Sequence, residues 1–298
     1  LMPSNAPQAV PGRPTTKTPP RPGLPAMHAD SPYNLKGKTA VVTGGTGLLG
    51  RRFCHALAEF GANVAVADLD GETSASFARE LSASHGVAAI GVRCDVSSPE
   101  DVQALVRDIT AHLGEILILH NNAASKSDDL GAFFASFEEY SLSEWRKIMA
   151  VNLDGMFLVA QAVGAQMVLQ KNGGSIIQTA SIYGVAAPDQ RIYRGSHYLG
   201  REINTPAVYV ASKAAVIGLT QYLATYWAGS GIRVNTLSPG GVESGQNEAF
   251  MKNYSARVPM ARMAFADEMA GALVYLASDA SSYMTGQNLV VDGGLTVW

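Results

Sequence analysis

The sequence predicts a doubly wound α/β protein, with seven parallel strands in one sheet and helices on both faces. Three observations lead there. Short apolar, β-branched runs recur along the chain from Lys36 onward. Longer segments of helical period separate them. The runs show little polar–apolar alternation, as expected of strands covered on both faces. Regular βα alternation then implies parallel strands joined by right-handed crossovers.

Taken in order, the predicted strands are 39–43, 63–67, 89–93, 116–120, 175–179, 232–236 and 288–291. The predicted helices lie near 48–60, 72–84, 99–113, 143–170, 207–228 and 267–277. Gly61 stands where a helix C-terminal glycine is expected, after the first of them. Ser98-Pro99 opens the third with a cap residue and a first-turn proline. No internal repeat is visible.

Ahead of this pattern the composition differs. Nine of the 14 prolines fall within the first 32 residues, with few large apolar side chains. Such a stretch cannot bury enough surface to offset its ordering entropy. Residues 1–33 are therefore expected to be a disordered tail, and 34–298 a single domain.

The 298 residues carry 22 Lys and Arg against 25 Asp and Glu, a net charge of −3. That gives no electrostatic reason to expect nucleic acid or an anionic membrane as partner. Hydrophobic residues make up 47% and charged residues 16%, as in a packed globular protein. Cys54 and Cys94 are too few for a disulfide framework or a multi-cysteine metal site, so no metal is expected, and they suit a reducing, cytoplasmic location. No apolar run reads as long enough to span a bilayer. The first residues lack the apolar core of a secretory leader.

The turn Thr43-Gly44-Gly45-Thr46-Gly47-Leu48-Leu49-Gly50 joins the first strand to the first helix. Glycines there let the backbone approach a pyrophosphate, and the helix N-terminus offers free N–H groups and a positive dipole end. The next strand ends at Asp68, beside Leu69 and 18 residues after Gly50. An acid at that distance accepts hydrogen bonds from ribose hydroxyls and repels a 2′-phosphate, favouring NAD over NADP. A structural turn and a surface aspartate would look the same in isolation. The order strand, turn, helix, strand, acid is what argues for a dinucleotide. Arg51 and Arg52 are the cations that would instead hold a 2′-phosphate. Asp95 and Val96 follow the third strand, and Asn122, Ala123 and Ala124 follow the fourth. Small side chains at those strand ends leave room for adenosine, and asparagine amides can tie neighbouring loops together.

Tyr209 and Lys213 are four residues apart, hence on one face of a helix. A tyrosine is a poor base near neutrality, and a nearby ammonium is expected to lower its pKa into a useful range. The pair alone would mean little, since such spacing is common in helices.

In combination these motifs resemble the short-chain dehydrogenase/reductase family, in its compact single-domain branch with a Rossmann-type sheet. The resemblance covers about residues 36–298. TGGTGLLG is similar to its cofactor turn, NNAA (121–124) to its central motif, and YVASK (209–213) to its active-site pair. It implies that Ser181 hydrogen-bonds the substrate oxygen and that Asn152 holds a proton-relay water. It also implies that Lys213 holds the nicotinamide ribose, that Pro239, Gly240 and Val242 of the loop 238–242 lie around the nicotinamide, and that Gly241 in that loop contacts substrate. MTGQNLVVDGG (284–294) resembles the family's last strand. A homo-oligomer, a tetramer by resemblance, is expected, with contacts from helix 207–228 and from Val290, Leu295 and Trp298.

Two departures stand out. Gly44, Gly47 and Gly50 give TGxxGxxG, a spacing more typical of the extended branch, which carries a sizeable C-terminal substrate domain. Here the chain ends 85 residues after Lys213, which favours the compact branch. The second departure is the 28-residue gap from Ser181 to Tyr209, about twice that implied by the resemblance. The insert 183–208 is expected to select substrate and to leave the core independent of it. Its Tyr183 would contact sugar hydroxyls, and Arg191, Arg194 and Arg201 would clamp an anionic group. A solvated loop or subunit contact is the other reading. The stretch from Ser181 to Tyr193 resembles long-insert members associated with surface-sugar biosynthesis.

The function expected is an NAD-dependent oxidoreductase of a secondary alcohol or ketone, on a sugar-like small molecule. Two alternatives were weighed. A 3-oxoacyl-[acyl-carrier-protein] reductase is opposed by Asp68 and the polar insert. A non-catalytic NAD-binding regulator has no need of Asn152, Ser181, Tyr209 and Lys213 together.

Overall fold

The structure, a computed structural model, describes residues 31–127, 129–198 and 200–298. Seven strands form one sheet: β1 (Thr39–Thr43), β2 (Asn63–Asp68), β3 (Ala89–Arg93), β4 (Ile116–Asn121), β5 (Gly174–Thr179), β8 (Ile232–Pro239) and β9 (Asn288–Val291). Their spatial order is β3-β2-β1-β4-β5-β8-β9, and every adjacent pair is parallel. The order reverses between β1 and β4, which opens a crevice at their carboxyl ends.

The helices are α1 (Leu48–Glu59), α2 (Gly71–His85), α3 (Pro99–Leu113), α4 (Leu130–Phe133), α5 (Leu142–Met149), α6 (Met156–Gln170), α7 (Ala207–Trp227), α8 (Glu248–Ser255) and α9 (Ala270–Ala277). Capping explains several starts. Asp70 accepts from the N–H groups of Glu72 and Thr73, and Ser98 from that of Asp101. Helix α1 is different: Gly47 at its N-cap supplies no side-chain acceptor.

Two cores lie on opposite faces of the sheet. One packs Val41, Leu119 and Ile176 against α3, α6 and α7 through Leu105, Val163 and Trp227. The other packs Val42, Ile118 and Ile177 against α1, α2 and α9 through Phe53, Phe77 and Leu273. Neighbouring strand residues thus face different cores, and both must be apolar, which is why the strands do not alternate.

Several expectations are corrected. The single helix expected over 143–170 is two, joined by a π-helical turn over Ala150–Gly155 that carries Asn152. Helix α8 was missed, although Asn247 caps it from the N–H of Phe250. The tail expected over 1–33 lies outside the described residues as far as position 30; Pro32 is described, and its carbonyl accepts from Ala280 N–H. By length and hydropathy, Leu142–Gln170 and Ala207–Ser230 would each span a bilayer, contrary to the reading above. In this fold both lie against the sheet through buried residues such as Val159 and Val216.

The insert is not independent of the core. Ile192 is 3% exposed and packs with Ile182, Tyr254, Val258 and Met263 in a third apolar cluster. Asn253 Nδ2 donates to the carbonyls of Ile192 and Arg194 at 3.1 and 3.0 Å. Leu199 of the insert lies outside the described residues. The insert also forms a two-stranded antiparallel pair, β6 (His197–Tyr198) with β7 (Arg201–Glu202).

Candidate active site

The site grows from the crevice between β1 and β4. Thr43 ends β1, and its Oγ1 accepts from the N–H groups of Asn122 and Ala123 at 2.9 and 3.0 Å. Asn122 Nδ2 donates back to the Thr43 carbonyl at 3.1 Å. Asn121 Nδ2 reaches the Met156 carbonyl at 2.8 Å, just beyond the π turn. On that turn the fully buried Asn152 accepts from Ser125 N–H at 2.8 Å through Oδ1. The asparagines therefore tie the loop after β4 to β1 on one side and to the helix on the other. A π turn inside an α-helix is frequently found at a functional site, because it re-aims side chains at small cost.

A groove of about 590 Å³ runs along these strand ends. Gly44, Thr46, Gly47, Leu48, Leu49, Gly50 and Asp68 form one end of it. Asn122, Ala124, Ser181, Tyr209, Lys213, Pro239, Gly240 and Val242 are among the residues that line the rest. Leu69, Asp95, Val96 and Ala123 line an adjoining recess of about 150 Å³, also reached by Gly44 and Asp68. All of the residues assigned to cofactor binding from sequence thus meet in one continuous region.

The turn fits a pyrophosphate. Gly44 has φ +63°, and a side chain on Gly50 would stand 2.0 Å from the Gly44 carbonyl oxygen. Helix α1 begins there without a side-chain cap, so its first N–H groups remain available to an anion. Asp68 Oδ2 accepts from Thr46 N–H at 2.9 Å and Thr46 Oγ1 at 2.6 Å, and Oδ1 from Leu69 N–H at 2.8 Å. Two carboxylate oxygens offer about four acceptor positions, so capacity remains for a ribose hydroxyl. Arg51 and Arg52 are otherwise engaged. Arg51 donates to the Thr46 carbonyl at 3.1 Å and lies 4.3 Å above the Phe77 ring, while Arg52 pairs with Asp267 at 3.3 Å.

At the other end of the groove Ser181 follows β5 and lines it together with Tyr209, and its Oγ accepts from Tyr183 N–H at 3.2 Å. Lys213 is 2% exposed; its Nζ donates to the Thr179 carbonyl at 3.0 Å and lies 5.8 Å from the Tyr209 ring centre. Burial lowers the Lys213 pKa to about 8. Tyr209 behaves contrary to expectation. Burial raises its pKa, and Ser181 only partly opposes that. The ammonium bonds to a carbonyl on β5 rather than to the phenol oxygen.

His120, unnoticed in the sequence, sits directly beneath. It is fully buried, its Nε2 lies 2.8 Å from Thr179 Oγ1, and its ring stands edge-on to Phe53 at 4.4 Å. Burial depresses its pKa to about 3. Thr179 Oγ1 in turn lies 3.3 Å from Asn122 Oδ1. Thr179 therefore joins His120, Asn122 and Lys213, a link no sequence motif announces.

A second cavity of about 480 Å³ opens on the far side of Tyr209. The insert contributes Tyr183, Tyr193, His197, Ile203, Asn204 and Thr205, and α4 contributes Phe133. Ser244 to Asn247 and Phe250 close it. Tyr209, Lys126 and Ser244 line both spaces, so the tyrosine stands where they meet. Of the described residues expected to contact substrate, Tyr183 is the one found here. Arg191 and Arg194 are exposed and line neither space. The Arg191 guanidinium is consumed by Asp189, with two bonds of 2.8 Å, and Asp189 also pairs with Arg257. The side chain of Arg201 lies outside the described structure. Gly241 donates its N–H to the Tyr254 hydroxyl at 2.5 Å and lines neither large cavity. Neither Arg191 nor Arg194 forms the expected clamp, and the described wall offers hydroxyl, amide and aromatic groups instead. Lys126 and His197 are the cationic residues among the described lining.

A family model described as enoyl-(acyl carrier protein) reductase matches residues 47–296. D-threitol dehydrogenase of Mycolicibacterium smegmatis is 36% identical over 280 residues, covering 91% of this chain and 97% of that one. The chain belongs to the short-chain dehydrogenase/reductase family. It is a nicotinamide-dependent enzyme acting on CH–OH groups, with the Rossmann-type sheet of that family. Solved structures of other short-chain dehydrogenases agree. A gluconate 5-dehydrogenase from Burkholderia cenocepacia, in complex with NADP and tartrate, is 34% identical with a TM-score of 0.79, covering 89% of this chain and 98% of its own. A short-chain dehydrogenase from Leptospira borgpetersenii with bound NAD+ is 30% identical with a TM-score of 0.75, covering 89% and 95%.

Proposed function

We propose that this short-chain dehydrogenase interconverts a secondary alcohol and a ketone on a sugar alcohol or related polyhydroxy compound, with NAD(H) as cofactor. The observation that carries this reading is Tyr209, sharing the dinucleotide-shaped groove with Ser181 and Lys213 and standing where that groove meets a hydroxyl-lined cavity. When bound, the nicotinamide supplies the hydride acceptor or donor. Ser181 donates a hydrogen bond to the substrate oxygen and fixes it against Tyr209. The Tyr209 hydroxyl exchanges its proton with that oxygen. Lys213, charged below about pH 8, holds the nicotinamide ribose beside the tyrosine ring. Asn152 keeps the loop at Ser125 in register with the groove.

NAD is favoured over NADP on two grounds. Asp68 presents a carboxylate where a 2′-phosphate would fall, and Arg51 and Arg52 are committed to other partners. The sugar-alcohol reading is supported by D-threitol and gluconate 5-dehydrogenases among the relatives. A spectrophotometric screen of alditols and ketoses, with NAD and NADP in parallel, tests both parts. Absence of turnover with every member refutes the substrate class; equal use of NADP refutes the cofactor.

We also propose a homo-oligomer, a tetramer by family. Phe157, Leu169, Tyr222 and Tyr226 leave an exposed apolar face on α6 and α7, with Tyr222 and Tyr226 stacked at 5.8 Å. A monomeric mass at micromolar concentration refutes it.

A further inference from the structure

We propose that Tyr183, Thr205 and Tyr193 form a hydroxyl cluster that binds a substrate hydroxyl beyond the reacting carbon and so selects polyhydroxy compounds over simple secondary alcohols. The inference rests on reading the second cavity as the substrate site. The three side chains all line it. Tyr193 Oη lies 2.6 Å from Thr205 Oγ1, and Thr205 also acts on the Tyr183 hydroxyl, slightly opposing the burial that raises its pKa. Tyr183 stands two residues after Ser181, and Thr205 four residues before Tyr209. The cluster is therefore anchored to both sides of the reacting centre.

Counting protons shows what the cluster offers. Three hydroxyls carry three O–H donors, and the Tyr193–Thr205 bond uses one of them. Two O–H groups are left to donate, and the oxygens keep unused lone pairs. A substrate hydroxyl, which both donates and accepts, is the neutral group that matches such a patch. Among the described lining residues there is no Asp or Glu, so the selectivity is not for a cation. An apolar chain in the same place would leave the spare O–H groups of a half-buried cluster without partners, which is how a hydroxyl-recognising site rejects the analogue lacking it.

The cluster is held independently of its own hydroxyls. Gln190 clamps the Thr205 backbone at both ends: Thr205 N–H donates to Oε1 and Nε2 donates to the Thr205 carbonyl, each at 3.2 Å. The Tyr193 ring lies against Phe250 with centres 5.3 Å apart. Thr205→Val and Tyr193→Phe therefore remove hydroxyls with little change of shape.

Two measurements on the full-length protein test the proposal. The first is calorimetric titration of NAD-loaded enzyme with alditols of four to six carbons. The second is the ratio of kcat/KM for the best alditol to that for 2-butanol. In each variant alditol binding should weaken about tenfold and the ratio should fall about tenfold, the size of one lost hydrogen-bonding partner. Melting temperature should stay near that of the wild type. Binding within twofold of wild type, equal loss on alditol and 2-butanol, or a wild-type protein that binds no alditol would each overturn the proposal. Weakened alditol binding in an enzyme that oxidises none of them would uphold the cluster and refute the proposed reaction; unaltered binding with brisk turnover would do the reverse.

Discussion

Acidification should expose the cost of burying His120. The imidazole is completely enclosed, and its Nδ1 has no hydrogen-bond partner among the described residues. Its pKa falls from 6.5 to about 3 because a charged ring there would lose all its water. The unfolded chain therefore binds a proton that the folded chain refuses. Stability is present above the unfolded pKa and drains away as the pH falls below 6.5 toward 3. At about pH 4.5 the unfolded ring is almost wholly protonated and the folded ring almost wholly neutral, a difference of about 2.7 kcal/mol. With an unfolding entropy of about 2.1 cal/mol/K per residue, this corresponds to roughly 4 °C in Tm for a chain of this size. Other acid-sensitive groups shift too, so the assay is differential: Tm of wild type and His120→Leu across the pH range. The wild-type advantage, or deficit, should move against wild type by roughly 4 °C between about pH 7.5 and pH 4.5. Parallel curves would show that His120 titrates normally and that the burial argument is wrong.

Three further outcomes are expected. Tyr209→Phe should lower kcat by about 10²–10⁴-fold with cofactor affinity nearly unchanged, because the ring still packs but the exchangeable proton is gone; a variant within a few-fold of wild type would remove Tyr209 from the chemistry. Asp68→Ala should narrow the preference for NAD over NADP in kcat/KM, and an unchanged ratio would mean that the ribose is read elsewhere. Asp189→Ala should leave catalysis on small alcohols measurable yet speed limited proteolysis between residues 186 and 206, since Asp189 ties Arg191 of the insert to Arg257 in the turn after α8; an unchanged digestion pattern would show that the apolar contact at Ile192 suffices.

Much of the site was legible because its signals are local. The glycine turn, the acid at the end of the next strand and the Tyr–Lys spacing each depend on one short segment and on helix or strand geometry alone. The two-sided strands likewise declared a parallel sheet, since both faces of β1 and β4 had to be apolar. The π turn at Asn152 was invisible, because one extra residue in a helical ring leaves the hydrophobic period nearly intact. The direction of the Tyr209 shift was misread because sequence spacing gives the distance along a helix, not where the lysine Nζ finds its acceptor.

The sequence by itself determined the sheet, the cofactor groove and the pairing of Tyr209 with Lys213, all of them consequences of periodicity and short-range spacing. Only the tertiary structure decided the substrate side. Three exposed-looking arginines in the insert suggested an anion clamp, yet Asp189 neutralises Arg191 and an aromatic, hydroxyl-bearing wall takes its place. That wall brings Phe133, Tyr193, Thr205 and Phe250 together from segments far apart in the chain. Burial at Ile192 and the Gln190 clamp on Thr205 fold the insert inward, and such long-range contacts have no period or spacing by which a sequence could announce them.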